Sequence, residues 1–303
     1  MSISVYFHDD LLCKEEEEED SRLPYRDQMK CSSSLDEFNE SVTEFIEAEK
    51  NFVPGLDYVK RLQSRSLDQS AREESIAWIV KVRSHYGFQP LTAYLSINYL
   101  DRFLHSRNLS INNGWTMQLL SVACLSLAVK MEEPLVPSLL DLQIEGSKFV
   151  FETKIIQRME LLILGVLDWR LRSITPFTFL SYFASKLDNH NTDFIISKST
   201  EIIMSNIQEI NLLEYQPSTI AAATVLHISQ TISNLSCLIS ETWFDQEHIK
   251  EKITSCYELI EKVSVRKPPK VLSQLRVMTT QAWIELGDSP SPSRKRKREN
   301  EIE

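Results

Sequence analysis

Glycine is scarce in this chain. There are 6 in 303 residues, about 2% against roughly 7% in ordinary proteins. That argues against a sheet-rich fold with many tight turns, and against a glycine loop cradling phosphates. Cysteine is sparse and odd in number. The five sit at 13, 31, 124, 237 and 256 with no CxxC spacing, the usage of a reduced intracellular protein without structural zinc. The six histidines never fall at HxxxH or HExxH spacing, so neither a metal nor a cofactor is expected. Long apolar runs are missing too. The longest, near 119–129, falls short of the ~20 residues that a bilayer span needs. The first apolar residues are broken by Asp9 and Asp10, so no secretory signal is read. Positive charge is in deficit: 33 Lys and Arg face 43 Asp and Glu, a net charge of -10. A chain that acidic is a poor general binder of nucleic acid.

What remains is ordinary globular material, 42% hydrophobic and 25% charged, long enough for one large domain or two of usual size. Residues 1–35 are polar and acidic, with glutamates at 15–19 and Asp20. They are expected to form a disordered arm. From 36 to 265 helix follows helix. Phe38, Val42, Phe45 and Ile46 recur at helical spacing. Further helices are predicted over about 71–86, ending near Gly87, then 90–104, 115–132, 137–145 and 151–167. Asn112 or Asn113 is placed to cap the helix at 115. That helix is apolar or small on almost every face, from Leu119 through Cys124 to Val129. Such a helix must lie inside a domain with others wrapped about it. The pattern then restarts. Thr175 and Pro176 supply an N-cap and a first-turn proline for a helix to about 186. A longer one is read over 193–211, and after Pro217 comes a second small, apolar helix around Ala221, Ala222 and Ala223. Self-similarity at about 100 residues predicts two copies of one helical bundle, each around a buried helix.

Specific strings then carry a family resemblance. Tyr99, Leu100, Asp101, Arg102, Phe103 and Leu104 precede ACLSLAVKMEEP at 123–134, RMELLILGVLDWRL at 158–171 and TPFTFL at 175–180. In this order and spacing the set resembles the cyclin box, followed by a second cyclin fold. The N-terminal motif described below makes it resemble a D-type cyclin, and REESIAWI and VLDWRLRSITPF resemble the plant branch. The resemblance implies an all-α chain of tandem cyclin folds, two five-helix bundles with disordered termini. Its parts are an arm at 1–35, a first box at 36–173, a second fold at 174–265 and a tail at 266–303.

The resemblance also assigns residues. Lys130 and Glu160 match the charged pair that cyclins present to a kinase. Met131, Leu164 and Trp169 match the apolar positions around it. Arg72 and Asp101 match an internal salt bridge between the first two box helices. One departure concerns the shallow docking patch that many cyclins build on a Met-Arg-x-x-Leu-x-x-Trp pattern. Trp78 survives here, with Met117 and Gln118 beside it. Ala71, Glu74 and Ser75 stand where apolar groups are usual.

Two termini carry motifs outside the boxes. Leu11, Cys13 and Glu15 form an LxCxE sequence, similar to the motif by which D-type cyclins bind retinoblastoma-type pocket proteins. In an extended strand these three side chains face the same way. Such a match arises by chance in about a few per cent of chains this long. Near the other end Arg294, Lys295, Arg296, Lys297 and Arg298 are consecutive and read as a nuclear localisation signal. Ser289 and Ser291 each precede a proline, as proline-directed phosphorylation requires. Phosphate at Ser291 would add negative charge beside that cluster.

The expectation is a nuclear, non-catalytic regulatory subunit. Its implied partners are a cyclin-dependent kinase, a retinoblastoma-related protein and kinase inhibitors, with no nucleic acid or membrane. Two other classes fit less well. A transcription factor with paired cyclin folds needs basic helices over the repeats, and here the basic cluster is confined to the tail. An all-helical isoprenoid synthase needs a DDxxD helix, and the one Asp–Asp pair, Asp9–Asp10, lies in the acidic arm.

Overall fold

In a computed structural model of the chain, the described residues are 35–64, 69–107, 114–144, 148–187, 191–232 and 247–266. The arm, with the LxCxE sequence, and the basic tail lie outside them, as do Asn112 and Asn113. Among the described residues the secondary structure is entirely helical. In chain order the α-helices are α1 (Leu35–Ala48), α2 (Leu56–Gln63), α3 (Gln69–Tyr86), α4 (Pro90–Ser106), α5 (Gly114–Glu132), α6 (Leu139–Ile144), α7 (Thr153–Val166), α8 (Pro176–Leu187), α9 (Thr192–Ser205), α10 (Pro217–Ile232) and α11 (Glu247–Arg266). Short 3-10 helices cover Glu49–Phe52 and Ile210–Glu214.

α5 packs against α3, α4, α6 and α7. Every residue from 119 to 129 is buried. Its serines, alanines and cysteine let neighbouring helices come close, while Leu120, Val122, Leu125 and Val129 fill the spaces between them. Ser121 returns its hydroxyl to the Met117 carbonyl, 2.8 Å away. The helix is 19 residues long and, by composition, apolar enough to cross a bilayer. The expectation drawn from the 119–129 run was therefore too restrictive, because the helix extends beyond its most apolar part. Two-thirds of the stretch is buried among the other helices.

α10 is the second centre, packed against α8, α9 and α11. Ala221, Ala222, Ala223 and Val225 are fully buried. Pro176 opens α8, and Thr175 donates its backbone N–H to Thr178 Oγ1 at 3.3 Å, half of a capping box. The helix expected over 193–211 is interrupted. α9 ends at Ser205, and a 3-10 helix begins at Ile210, where Glu209 accepts from the Asn211 N–H. Ile202, Ile203, Ile207 and Ile210 keep a helical spacing across the break, so sequence periodicity ran through it.

Helix ends follow the local chemistry. Gly87 closes α3 with φ +70, and the Phe88 N–H reaches the Arg83 carbonyl at 3.1 Å, the 6→1 bond of a Schellman ending. α6 starts at Leu139 because Ser138 Oγ accepts the Asp141 N–H.

Candidate functional site: an ion pair among exposed apolar side chains

Lys130 lies in the last turn of α5 and Glu160 in the middle of α7. Lys130 Nζ stands 2.8 Å from both carboxylate oxygens of Glu160. The Glu160 side chain is 8% exposed and that of Lys130 42% exposed. The pair therefore has one member in the protein wall and one open to an incoming group. Lys130 keeps one donor, and Glu160 keeps lone pairs, for the main chain of a partner.

The apolar residues that the resemblance names with the pair differ widely in exposure. Met131 is exposed beside Lys130. Leu164, one turn after Glu160, is nearly buried and belongs to the core of the first box, so it offers little surface of its own. Trp169 is the opposite case, at 69% exposure. Its backbone explains this. Asp168 and Trp169 both have positive φ, 52 and 59, which is costly for residues with a Cβ. The Trp169 N–H bonds to the Leu164 carbonyl at 2.9 Å, ending α7 and projecting the indole outward. Strain of this kind persists only where the surroundings enforce it. Here α4 enforces it. The Tyr99 hydroxyl donates to the Leu171 carbonyl at 2.6 Å, and Arg102 donates to the Arg170 carbonyl at 2.9 Å and to Ser173 Oγ at 3.1 Å.

The neighbouring Asp101 faces inward. Its Oδ1 and Oδ2 accept from Arg72 at 2.7 and 2.8 Å, and Oδ1 also accepts from the Tyr58 hydroxyl at 2.7 Å. Arg72 further donates to the Gln208 carbonyl at 3.3 Å, tying the first box to the turn between α9 and the 3-10 helix of the second fold. Burial alone would lower the Arg72 pKa, but the Asp101 carboxylate and its hydrogen bonds outweigh that and raise it. Burial first, and the Asp101 charge second, drive the Tyr58 phenol upward. One six-residue string thus anchors the Trp169 loop through Tyr99 and Arg102, and anchors α3 through Asp101.

The degenerate patch is polar in three dimensions as well. Met117 is buried in the core, and Trp78 is half-buried against it. Ser75 turns its hydroxyl back to the Ala71 carbonyl at 2.8 Å. Glu74 pairs with Lys148 at 3.0 Å. The Gln118 amide donates to the Phe149 carbonyl at 2.8 Å and accepts from the N–H groups of Lys148 and Phe149, each at 3.2 Å. Its carbonyl oxygen and one of its two amide N–H donors are thus engaged within the chain.

Sequence reasoning missed Tyr58, Tyr99 and Arg102 as supports, because their partners lie 43, 72 and 68 residues away. It also missed Leu161 and Leu162, which are 61% and 44% exposed on α7. Apolar residues in a helix read as core; a leucine pair directly after Glu160 was the available signal.

Comparison with known proteins follows the same lines. A family model described as the cyclin N-terminal domain matches residues 40–172, and one described as the cyclin C-terminal domain matches 174–279. Cyclin-D1-1 of Arabidopsis thaliana is 55% identical over 258 residues, 81% of this chain and 76% of that protein. Cyclin-D2-1 of Oryza sativa subsp. japonica is 47% identical over 227 residues, covering 74% and 70%. The X-ray structure of a viral cyclin from herpesvirus saimiri superposes with a TM-score of 0.51 at 16% identity, over 66% of this chain and 89% of that one. That likeness concerns the fold.

Proposed function

The chain belongs to the cyclin family, whose members are regulatory subunits of cell-cycle kinases and not enzymes themselves, and from that premise we propose its particular role. It binds and activates a cyclin-dependent serine/threonine kinase, and brings that kinase to a retinoblastoma-related protein, promoting entry into S phase. The observation that carries the reading is the Lys130–Glu160 pair, one member buried and one open, with Met131 next to Lys130 in the chain and Trp169 both exposed. A charged pair gives orientation and specificity, while exposed apolar side chains supply area to bury. The kinase shifts towards its active state to the extent that the chain contacts that state better.

Leu11, Cys13 and Glu15 support the recruiting role. They form the pocket-binding sequence, and the acidic run behind them is suited to a basic rim. The basic run at 294–298 supports a nuclear location.

Affinity purification of the full chain from dividing cells tests these assignments. Lys130→Ala with Glu160→Ala should lose the kinase and keep the pocket protein. Cys13→Ala should keep the kinase and lose the pocket protein. Retention of the kinase by the folded double variant sinks the kinase-contact assignment, and retention of the pocket protein by Cys13→Ala sinks the recruiting one. Replacing residues 294–298 with alanine should leave a fluorescent fusion outside the nucleus. Continued nuclear accumulation would refute that signal.

A further inference from the structure

Two buried amide ends lack hydrogen-bond partners, and both belong to residues that line one cavity. The cavity lies where the first box meets the second fold, inside the compact unit that begins at Ile46. Asn98 lines it from α4. Its Nδ2 donates to the Phe52 carbonyl at 2.8 Å, and its Oδ1 is buried with no partner among the described residues. Asn206 lines it from the other side, directly after α9, and is 2% exposed. Its Nδ2 is likewise buried and unpartnered among the described residues. Buried polar groups are nearly always satisfied in folded proteins, and leaving one unpaired is costly. Here an acceptor on one fold and a donor on the other border the same space.

The rest of the lining is mainly apolar. Ile97, Ile203, Leu212 and Ile220 are all buried against the cavity. A water-sized sphere ranges over about 60 Å³ inside it, and the free space with the mouth included is about 600 Å³. One water needs only about 10–15 Å³, so there is room for more than a single bridging water. Arg72 and Asp101 also border the space, but they spend their charges on each other. Glu209 adds a carboxylate, which disfavours an anion, and apolar walls disfavour a charged guest of either sign. An apolar pocket with a few polar groups at the junction of two domains is the usual setting of a small-molecule site.

We propose that this cavity binds a small neutral molecule with an apolar body and one carboxamide or hydroxyl group. The polar group donates to Asn98 Oδ1 and accepts from Asn206 Nδ2, and the body packs on the isoleucines. The terminal torsion of asparagine is broad, so the Asn206 amide can turn its N–H towards an occupant. A ligand held this way touches α4 of the first box and the end of α9 at once, and so fastens the two bundles to each other. Neither Lys130 nor Glu160 lines the cavity, and the site stands independently of the kinase reading.

Benzamide is the probe, with toluene and benzoate as controls that lack the polar group or carry a charge. Melting of the full chain is followed as each is added. Benzamide should raise the melting temperature saturably, by about 3 °C at ten times its dissociation constant, and neither control should. Asn206→Leu replaces an unpaired buried amide with an apolar group of similar size. It should melt no lower than wild type, yet bind benzamide about fivefold more weakly. Ile207 is a half-buried lining residue, and Ile207→Phe should weaken benzamide by taking up its space, which gives a second variant if Asn206→Leu does not fold. The inference is overturned if benzamide gives no saturable shift, if toluene matches it, or if either folded variant binds benzamide as wild type does. A crystal grown with benzamide in which the cavity holds water alone overturns it as well.

Discussion

Asp101 gathers three hydrogen bonds from two partners inside the first box, and the Arg72 and Asp101 side chains are almost wholly buried. A buried ion pair is a poor source of net stability, but removing one member is severe, because the other charge stays buried without compensation. Asp101→Asn keeps the shape and removes the charge. The expected loss is about 3–5 kcal/mol of unfolding free energy, read by urea denaturation of the full chain. A loss below about 1 kcal/mol would mean that Tyr58 and the Gln208 carbonyl suffice for Arg72. The resemblance singled out Arg72 and Asp101 as a pair. Tyr58 was invisible, since nothing local in the sequence marks a tyrosine as the third partner of a carboxylate 43 residues away.

At the scale of elements, Glu49 ties the short 3-10 helix ahead of α2 to the start of α10. Its carboxylate accepts the Ser218 N–H at 2.8 Å and the Ser218 hydroxyl at 2.7 Å. The contact is buried. Burial pushes the Glu49 carboxyl up to about 7, against the hydrogen bonds from Ser218 and the charge of Lys50, which lower it. A carboxyl raised on folding favours the folded state in its protonated form. Its contribution is full below the ordinary carboxylate value near 4.5 and declines as pH rises towards 7. Glu49→Gln keeps a neutral group of the same shape. Wild type should therefore lose stability relative to Glu49→Gln between about pH 4.5 and 7, read as the difference of two melting curves across that window. Parallel melting curves would show that the Glu49 carboxyl is not displaced. The nearby end of α9 shows where element boundaries escaped the sequence. The isoleucine spacing continues past Ser205, while backbone geometry at Asn206 stops the helix. α5 was legible because a helix with no polar face has one place to go.

For the whole molecule, two bundles around α5 and α10 make a frame on which a small surface is displayed. The frame was readable from apolar periodicity and its recurrence. The surface was readable only in part. Lys130 and Glu160 are ordinary charges by type, and the family strings single them out. Trp169 was named as an apolar contact, yet its exposure depends on two residues of positive φ and on bonds from Tyr99 and Arg102, none of which a one-dimensional pattern expresses. Leu164 stands at the edge of the core, so the apolar part of the surface falls more on Met131, Leu161, Leu162 and Trp169 than on it.

The most direct test is activation of a monomeric cyclin-dependent kinase, measured as phosphate transfer to a retinoblastoma-related pocket fragment with and without an equimolar amount of this chain. Wild type should raise the rate well above that of kinase alone. The Lys130→Ala, Glu160→Ala double variant, folded by its melting curve, should leave the rate near basal, because losing a buried charged contact weakens association by about thirtyfold or more. Equal activation by wild type and the double variant would show that Lys130 and Glu160 do not form the kinase contact.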